Sequence, residues 1–343
     1  MKQRKLGRTE LYVSELCLGT LSFGWTTPET TSHAILDAFR AAGGNFIQGT
    51  SLGPDLESSA APANPAEEHV GRWLQSRRIP RHELIIGTRI ALRRHQRGPE
   101  YIARTLHRCC ETAISRLHCQ HLDLVLIEWH ESLPPTDDIL AAIDRLKLAG
   151  LVRCVGASGF PTWRIMESLG RAARLNTNRF EVAQSDYSLL DHTRYEEDTL
   201  DLCQEHRLGF LARSPLAGGY LINPVAPTHT ARSQWLRARY ASVHTDATLA
   251  TLQDIATTRQ APPSQIALAW VLANPPRHRA RPRRHRARTP PVRARRHPPS
   301  THRRRHATPH RRIGGNPQNR RAVNPNTRLC LPPSRSNPKR PPP

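Results

Sequence analysis

The stretch Gly43-Gly44-Asn45-Phe46-Ile47-Gln48-Gly49-Thr50-Ser51-Leu52-Gly53-Pro54 reads as a short apolar strand running into a Gly-rich loop. Immediately before it, Ile35, Ala38, Phe39 and Ala42 recur at i, i+3, i+4 and i+7, the mark of one helix face, and Gly43-Gly44 supplies the stop. Helix, strand and loop thus follow one another with almost no connecting chain, and the same unit recurs downstream. The spacing predicts strands over 84–88, 122–127, 152–155, 180–184 and 208–213. Helices are predicted over 66–74, 101–117 and 263–274, with a further helical stripe on Ile139, Ala142, Ile143 and Leu146. The continuous apolar run Leu84-Ile85-Ile86 reads as a strand buried on both faces, as parallel strands are. Strands alternating with helices argue for a parallel barrel or an open parallel sheet, and composition does not choose between them.

Charge divides the chain in two. The formal net charge of +23 suggests a nucleic-acid binder, but of the 51 Lys and Arg, 21 lie beyond residue 276, where there is no Asp or Glu. The remaining 30 basic residues face all 28 acidic ones, an ordinary balance for residues 1–276. From 277 to 343 the chain is Arg, Pro, His, Thr and Ala with few large apolar residues, which predicts a disordered tail. The tail has no interleaved aromatics, so nucleic acid is not the expected partner. Its composition is that of GC-rich codons read out of frame, and it begins abruptly after a complete helix. The seven cysteines have no CxxC and no ligand spacing with His, so reduced, mostly buried thiols and no metal site are expected. His95, His107, His118 and His121 read as solvated. No apolar run approaches membrane-spanning length, and a cytoplasmic protein with no membrane partner is the simplest inference.

Several motifs in order resemble the aldo-keto reductase family: the Gly7-Arg8-Thr9 opening, Gly44-Asn45-Phe46-Ile47, Val152-Arg153-Cys154-Val155-Gly156-Ala157-Ser158, Gln184, and Ser214-Pro215-Leu216-Ala217-Gly218-Gly219. The resemblance spans residues 5–276 and implies a (β/α)₈ TIM barrel, incomplete at its eighth unit because nothing after 276 matches the last strand and the adenosine-phosphate loop. It also implies an NADPH-dependent oxidoreductase in which a hydride passes to a carbonyl carbon while a Tyr protonates the oxygen. An Asp, a Lys and a His complete that set. Carried onto this chain, the four positions are Gln48, Gly53, Arg89 and Glu128, and none matches. Gly53 has no proton to give, Gln48 brings no charge, and Arg89 stays protonated at neutral pH. The expectation is that ordinary carbonyl reduction is lost or strongly altered. The charge pattern further predicts that Arg89 and Glu128, on neighbouring strands, pair through two hydrogen bonds and so hold the carboxylate ionised.

The cofactor positions match better. By resemblance Ser158 and Gln184 hold the nicotinamide carboxamide, Ser214, Leu216 and Gly218 wrap the pyrophosphate, Arg213 lies against the nicotinamide, and Gly19-Thr20 end beside the cofactor. NADPH is therefore the expected cofactor, bound weakly for want of the adenosine-phosphate loop. Residues 55–65 read as an insertion at the mouth of the site. Three functions follow: an oxidoreductase with atypical chemistry on an unknown small molecule, a catalytically silent barrel that binds a cofactor or partner, and a nucleic-acid binder acting through its tail.

Overall fold

The computed structural model describes residues 1–49, 65–92, 98–131, 133–193, 198–222 and 231–274, all within the unit Met1–Arg281. Gly53, His95, Glu196-Glu197, most of the insertion and the whole tail from 277 lie outside these residues.

Strands β1 (Gln3–Lys5) and β2 (Tyr12–Ser14) form an antiparallel hairpin. Then come β3 (Cys17–Gly19), α1 (Glu29–Ala41), β4 (Phe46–Gln48), α2 (Pro65–Arg77), β5 (Ile85–Ala91), α3 (Pro99–Arg116), β6 (Leu122–Glu128) and α4 (Thr136–Leu148). The series continues with β7 (Val152–Ser158), α5 (Thr162–Leu175), β8 (Val182–Asp186), α6 (Thr199–Glu205) and β9 (Gly209–Arg213), and closes with α7 (Ala231–Tyr240), α8 (Val243–Arg259) and α9 (Pro263–Ala273). Proline opens several helices: Pro28, Pro135, Pro161 and Pro262 sit at the N-caps of α1, α4, α5 and α9 with φ between −59° and −52°. Its fixed φ suits a helix start, and the N–H it lacks is one the helix would leave unpaired.

The sheet runs β3-β4-β5-β6-β7-β8-β9 with every neighbouring pair parallel. Spatial order equals chain order, so there is no switch point and every crossover winds the same way; this is the arrangement of a (β/α) barrel and not of a doubly wound sheet. Curling follows from the core. Phe46, Ile85, Leu124, Leu126, Cys154 and Val182 form one cluster with Leu211 against it. Residues from β4 and β9, at nearly opposite ends of the strand order, can face one cluster only if the sheet wraps around it. The alternate residues of the same strands, among them Ile47, Ile86, Ile90, Val125, Ile127, Val155 and Ala183, pack outward against the helices in a second cluster.

The hairpin closes the floor of the barrel. Leu6, Leu11 and Val13 join the interior cluster, and Gly7, at φ +60°, lies so close to β9 that a Cβ there would stand 2.3 Å from the Gly209 nitrogen. At the same end, buried Asp123 ties three strands together. It accepts from Arg81 at 2.6 Å, from Arg153 at 2.8 Å and from the Ile86 backbone N–H at 2.8 Å.

Two helix faces differ from expectation. In α1 the buried residues are Ser32 and Leu36, while Ile35 and Ala38 are exposed and Phe39 is only half-buried. The apolar residues of this helix cover more than one stripe, so periodicity alone does not fix its phase. In α9, where Ile266, Ala269, Trp270 and Ala273 recur at i, i+3, i+4 and i+7 but the helix is apolar nearly all round, only Ala267 is buried. Ile139, Ala142, Ile143 and Leu146 on α4, and Val70, Trp73 and Leu74 on α2, face the core as their spacing requires. Among the described residues no helix is long and apolar enough to cross a membrane.

Candidate active site

The period of two that builds the core also builds the site. The inward positions of β5 run Ile85, Gly87, Arg89; those of β6 run Leu124, Leu126, Glu128; those of β7, Cys154, Gly156, Ser158; and those of β8, Val182, Gln184, Asp186. On every strand the apolar residue comes first and the polar one last. The result is an apolar floor beneath a polar ring at the C-terminal mouth, the end at which barrels of this kind place their chemistry. Strand β6 extends one residue beyond its expected end, so Glu128 belongs to the strand and points with Leu126 into the barrel.

Hydrogen bonds join the ring. Gln184 Nε2 donates to Gln48 Oε1 at 2.8 Å across the barrel, and Ser158 Oγ donates to Gln184 Oε1 at 2.9 Å. Arg213 donates through Nε to Asp186 Oδ1 at 2.7 Å and reaches the Ser158 hydroxyl at 3.5 Å. Asp186 also receives Arg239 at 3.3 Å, and Arg239 in turn bonds Asp191 at 3.0 Å. Tyr240 donates its hydroxyl to the same Asp191 carboxylate at 2.5 Å.

Arg89 and Glu128 do meet, but not as expected. Arg89 NH1 lies 3.6 Å from Glu128 Oε1, an ion pair without the two hydrogen bonds of a forked contact. The reason is a competing cation: Arg213 NH1 stands 3.8 Å from the same oxygen, so Glu128 lies between two guanidiniums. Arg89 Nε is buried and bonds to nothing among the described residues. Burial lowers the pKa of Arg89, with Arg213 adding to the effect and Glu128 opposing it. At Asp186 burial would raise the pKa, but the Arg213 hydrogen bond and the charges of Arg213 and Arg239 outweigh it, and the carboxyl is held below its ordinary value. Burial and the Asp191 carboxylate raise the Tyr240 phenol, which makes it a poorer proton donor.

The other expected positions fall nearby. Gly19 pairs in register with Gln48, and buried Thr20 donates its N–H to the Gln48 carbonyl at 3.1 Å. Ser214, Ala217 and Gly218 all have positive φ, at 53°, 51° and 66°, in a tight turn directly after β9. Within this turn the Ala217 N–H donates to the Ser214 carbonyl at 2.8 Å and the Gly219 N–H to the Leu216 carbonyl at 2.9 Å. Gln48, Ser158, Gln184 and Arg213 are thus one hydrogen-bonded group, Arg89 and Glu128 adjoin it, and the Ser214–Gly218 turn leads away from it.

Over residues 15–290 the sequence matches the aldo/keto reductase family. The chain belongs to that family. An oxidoreductase of Bacillus subtilis, YrpG, is 28% identical to it over 281 residues, 80% of this chain and 84% of that protein. Protein tas of Escherichia coli is 27% identical over 308 residues and 87% of its own length. The norsolorinic acid reductase stcV of Emericella nidulans is 27% identical over 222 residues, 60% of this chain and 55% of its own.

The mouth of this aldo/keto reductase barrel carries amide, guanidinium and carboxylate groups together. The donor set suits an amide-bearing cofactor in kind, since the Gln184 amide and Ser158 hydroxyl complement a carboxamide. Sequence reading missed Asp186, Asp191, Arg239 and Tyr240. Asp186 carried a signal: it is two residues beyond Gln184 and therefore on the same face. The others come from segments that only folding brings to the mouth.

Proposed function

We propose that this aldo/keto reductase binds NADPH at the mouth of its barrel and has lost ordinary carbonyl reduction. The reading is supported above all by the Gln184–Gln48 hydrogen bond of 2.8 Å: the side chain at position 48 is committed to an amide partner instead of holding the cation at position 89. In this reading Ser158 and Gln184 receive the carboxamide, Arg213 lies against the nicotinamide, and Ser214, Leu216 and Gly218 take the pyrophosphate. When bound, the cofactor supplies a hydride.

The missing half of the chemistry is a proton. Gly53 has none to give, and Arg89 keeps its own at neutral pH even with its pKa lowered by burial. Arg89 can donate a hydrogen bond to a substrate oxygen, orienting or polarising it, but not transfer a proton. General acid catalysis is worth about 10²- to 10⁴-fold, and a loss of that order is expected with simple aldehydes.

Fluorescence titration of the full chain with NADPH, followed by an aldehyde turnover assay, tests the proposal. Saturable binding with little turnover is the expected result. Restoring Gly53→Tyr alone leaves turnover low, whereas Gln48→Asp, Gly53→Tyr, Arg89→Lys and Glu128→His together raise it. Robust turnover by the unmodified chain overturns the loss of carbonyl reduction, and absence of NADPH binding favours a silent barrel.

A further inference from the structure

Resting on the NADPH reading above, we infer that Gln48 is an internal amide ligand, whose carboxamide occupies the corner formed by Gln184 and Ser158 and competes there with the carboxamide of an incoming nicotinamide nucleotide. Gln48 and Gln184 come from strands four apart in the sheet and meet inside the barrel at 2.8 Å. The oxygen of Gln184 is engaged by Ser158 at 2.9 Å, and its nitrogen by Gln48. Gln184 is 4% exposed and Ser158 is fully buried, so neither has solvent at hand to replace a lost partner. Each of these two Gln184 atoms keeps one further donor or acceptor site, so the competition is for position: an incoming amide that takes the corner itself displaces the Gln48 carboxamide seated there. Exchanging N and O in both glutamines leaves the chain of bonds intact, because the Ser158 hydroxyl can donate or accept. The competition does not depend on that assignment.

The backbone permits the exchange. The Gln48 carbonyl is pinned by the Thr20 N–H, and the residue is in register between Gly19 and Gly87. Displacement thus requires only rotation of the Gln48 side chain, with β4 unmoved. It costs one amide–amide hydrogen bond, which corresponds to roughly 2- to 10-fold in affinity. Position 48 consequently sets the affinity for the nicotinamide half of the nucleotide and leaves the adenosine half untouched.

Two probes separate these halves: NADPH, and 2′-phospho-ADP-ribose, which lacks the nicotinamide ring. Gln48→Met keeps the length of the side chain and removes its hydrogen bonds. It is expected to tighten NADPH by roughly 2- to 10-fold with no change for 2′-phospho-ADP-ribose. Gln48→Glu, which offers Gln184 a charged acceptor, loosens NADPH. In a Gln184→Met background the effect of Gln48→Met disappears, as a double-mutant cycle requires of a direct contact. Gln48→Leu and thermal melts of each variant identify any change that merely disturbs folding. Measurable NADPH binding that Gln48→Met leaves unchanged, or an equal change for both probes, overturns the inference and leaves the proposed function standing. No NADPH binding by any variant overturns the proposed function and this inference with it.

Discussion

The pairing of Arg89 with Glu128 predicts an asymmetry between two substitutions. Glu128→Gln removes the anion 3.6 Å from Arg89 and 3.8 Å from Arg213. Two unit charges 4 Å apart attract by about 4 kcal/mol at an effective dielectric of 20. Arg89 is 14% exposed and Glu128 33%, so solvent screens part of that attraction. The cost then falls between the value of at most about 1 kcal/mol for surface pairs and the roughly 3–5 kcal/mol for stranding a buried charge, or about 1–3 kcal/mol. Arg89→Met gives up the same ion pair but also removes a buried donor that bonds to nothing among the described residues, itself a burden of about 1–3 kcal/mol. Glu128 is not stranded by this change, because Arg213 remains beside it. The two effects nearly cancel, and Arg89→Met is expected to stay within about 1 kcal/mol of the parent. Urea unfolding at neutral pH, compared by midpoint with unchanged slope, reads both values. If Arg89→Met costs as much as Glu128→Gln or more, the guanidinium is better satisfied than its geometry implies and the reasoning fails.

Gly7→Ala places a Cβ 2.3 Å from the Gly209 nitrogen at a φ of +60°; strain and overpacking together are expected to destabilise the barrel by about 2–4 kcal/mol. A melt as high as the parent's would show that the hairpin does not seal the floor. The Asp37 carboxyl is lowered to about 2 by hydrogen bonds from Arg77 and Trp73, against an ordinary value of 3.8. A carboxyl lowered in the folded state contributes stability that is present above its unfolded pKa and lost as pH falls through the folded one. The stability difference between the parent and Asp37→Asn should therefore fade between about pH 4 and about pH 2, and a difference independent of pH would exclude the effect. Translating the coding DNA beyond codon 276 in the other two frames is expected to yield, in one of them, an apolar strand followed by a Pro-Gly turn; if neither frame contains one, the basic tail is genuine and the nucleic-acid reading is strengthened.

Sequence by itself determined the order of elements and the family. Hydrophobic periodicity marks the alternating strands and helices because a buried parallel strand and a core-facing helix each impose their own spacing. Local motifs such as Gly44-Asn45-Phe46-Ile47 and Val155-Gly156-Ala157-Ser158 carry the resemblance that the family match confirms. The resemblance assigns the catalytic positions to Gln48, Gly53, Arg89 and Glu128 by residue identity alone. Tertiary structure decided which neighbours Gln48, Arg89 and Glu128 engage. No local pattern could bring Gln48 to Gln184, because the contact exists only once the sheet has curled. Nor could pairing of charges along the chain anticipate that Arg213 would share Glu128 and open the expected forked bond with Arg89. The phases of α1 and α9 were hidden for a related reason: where apolar residues exceed one stripe, the face that is buried is chosen by what the helix packs against, and that partner lies elsewhere in the chain.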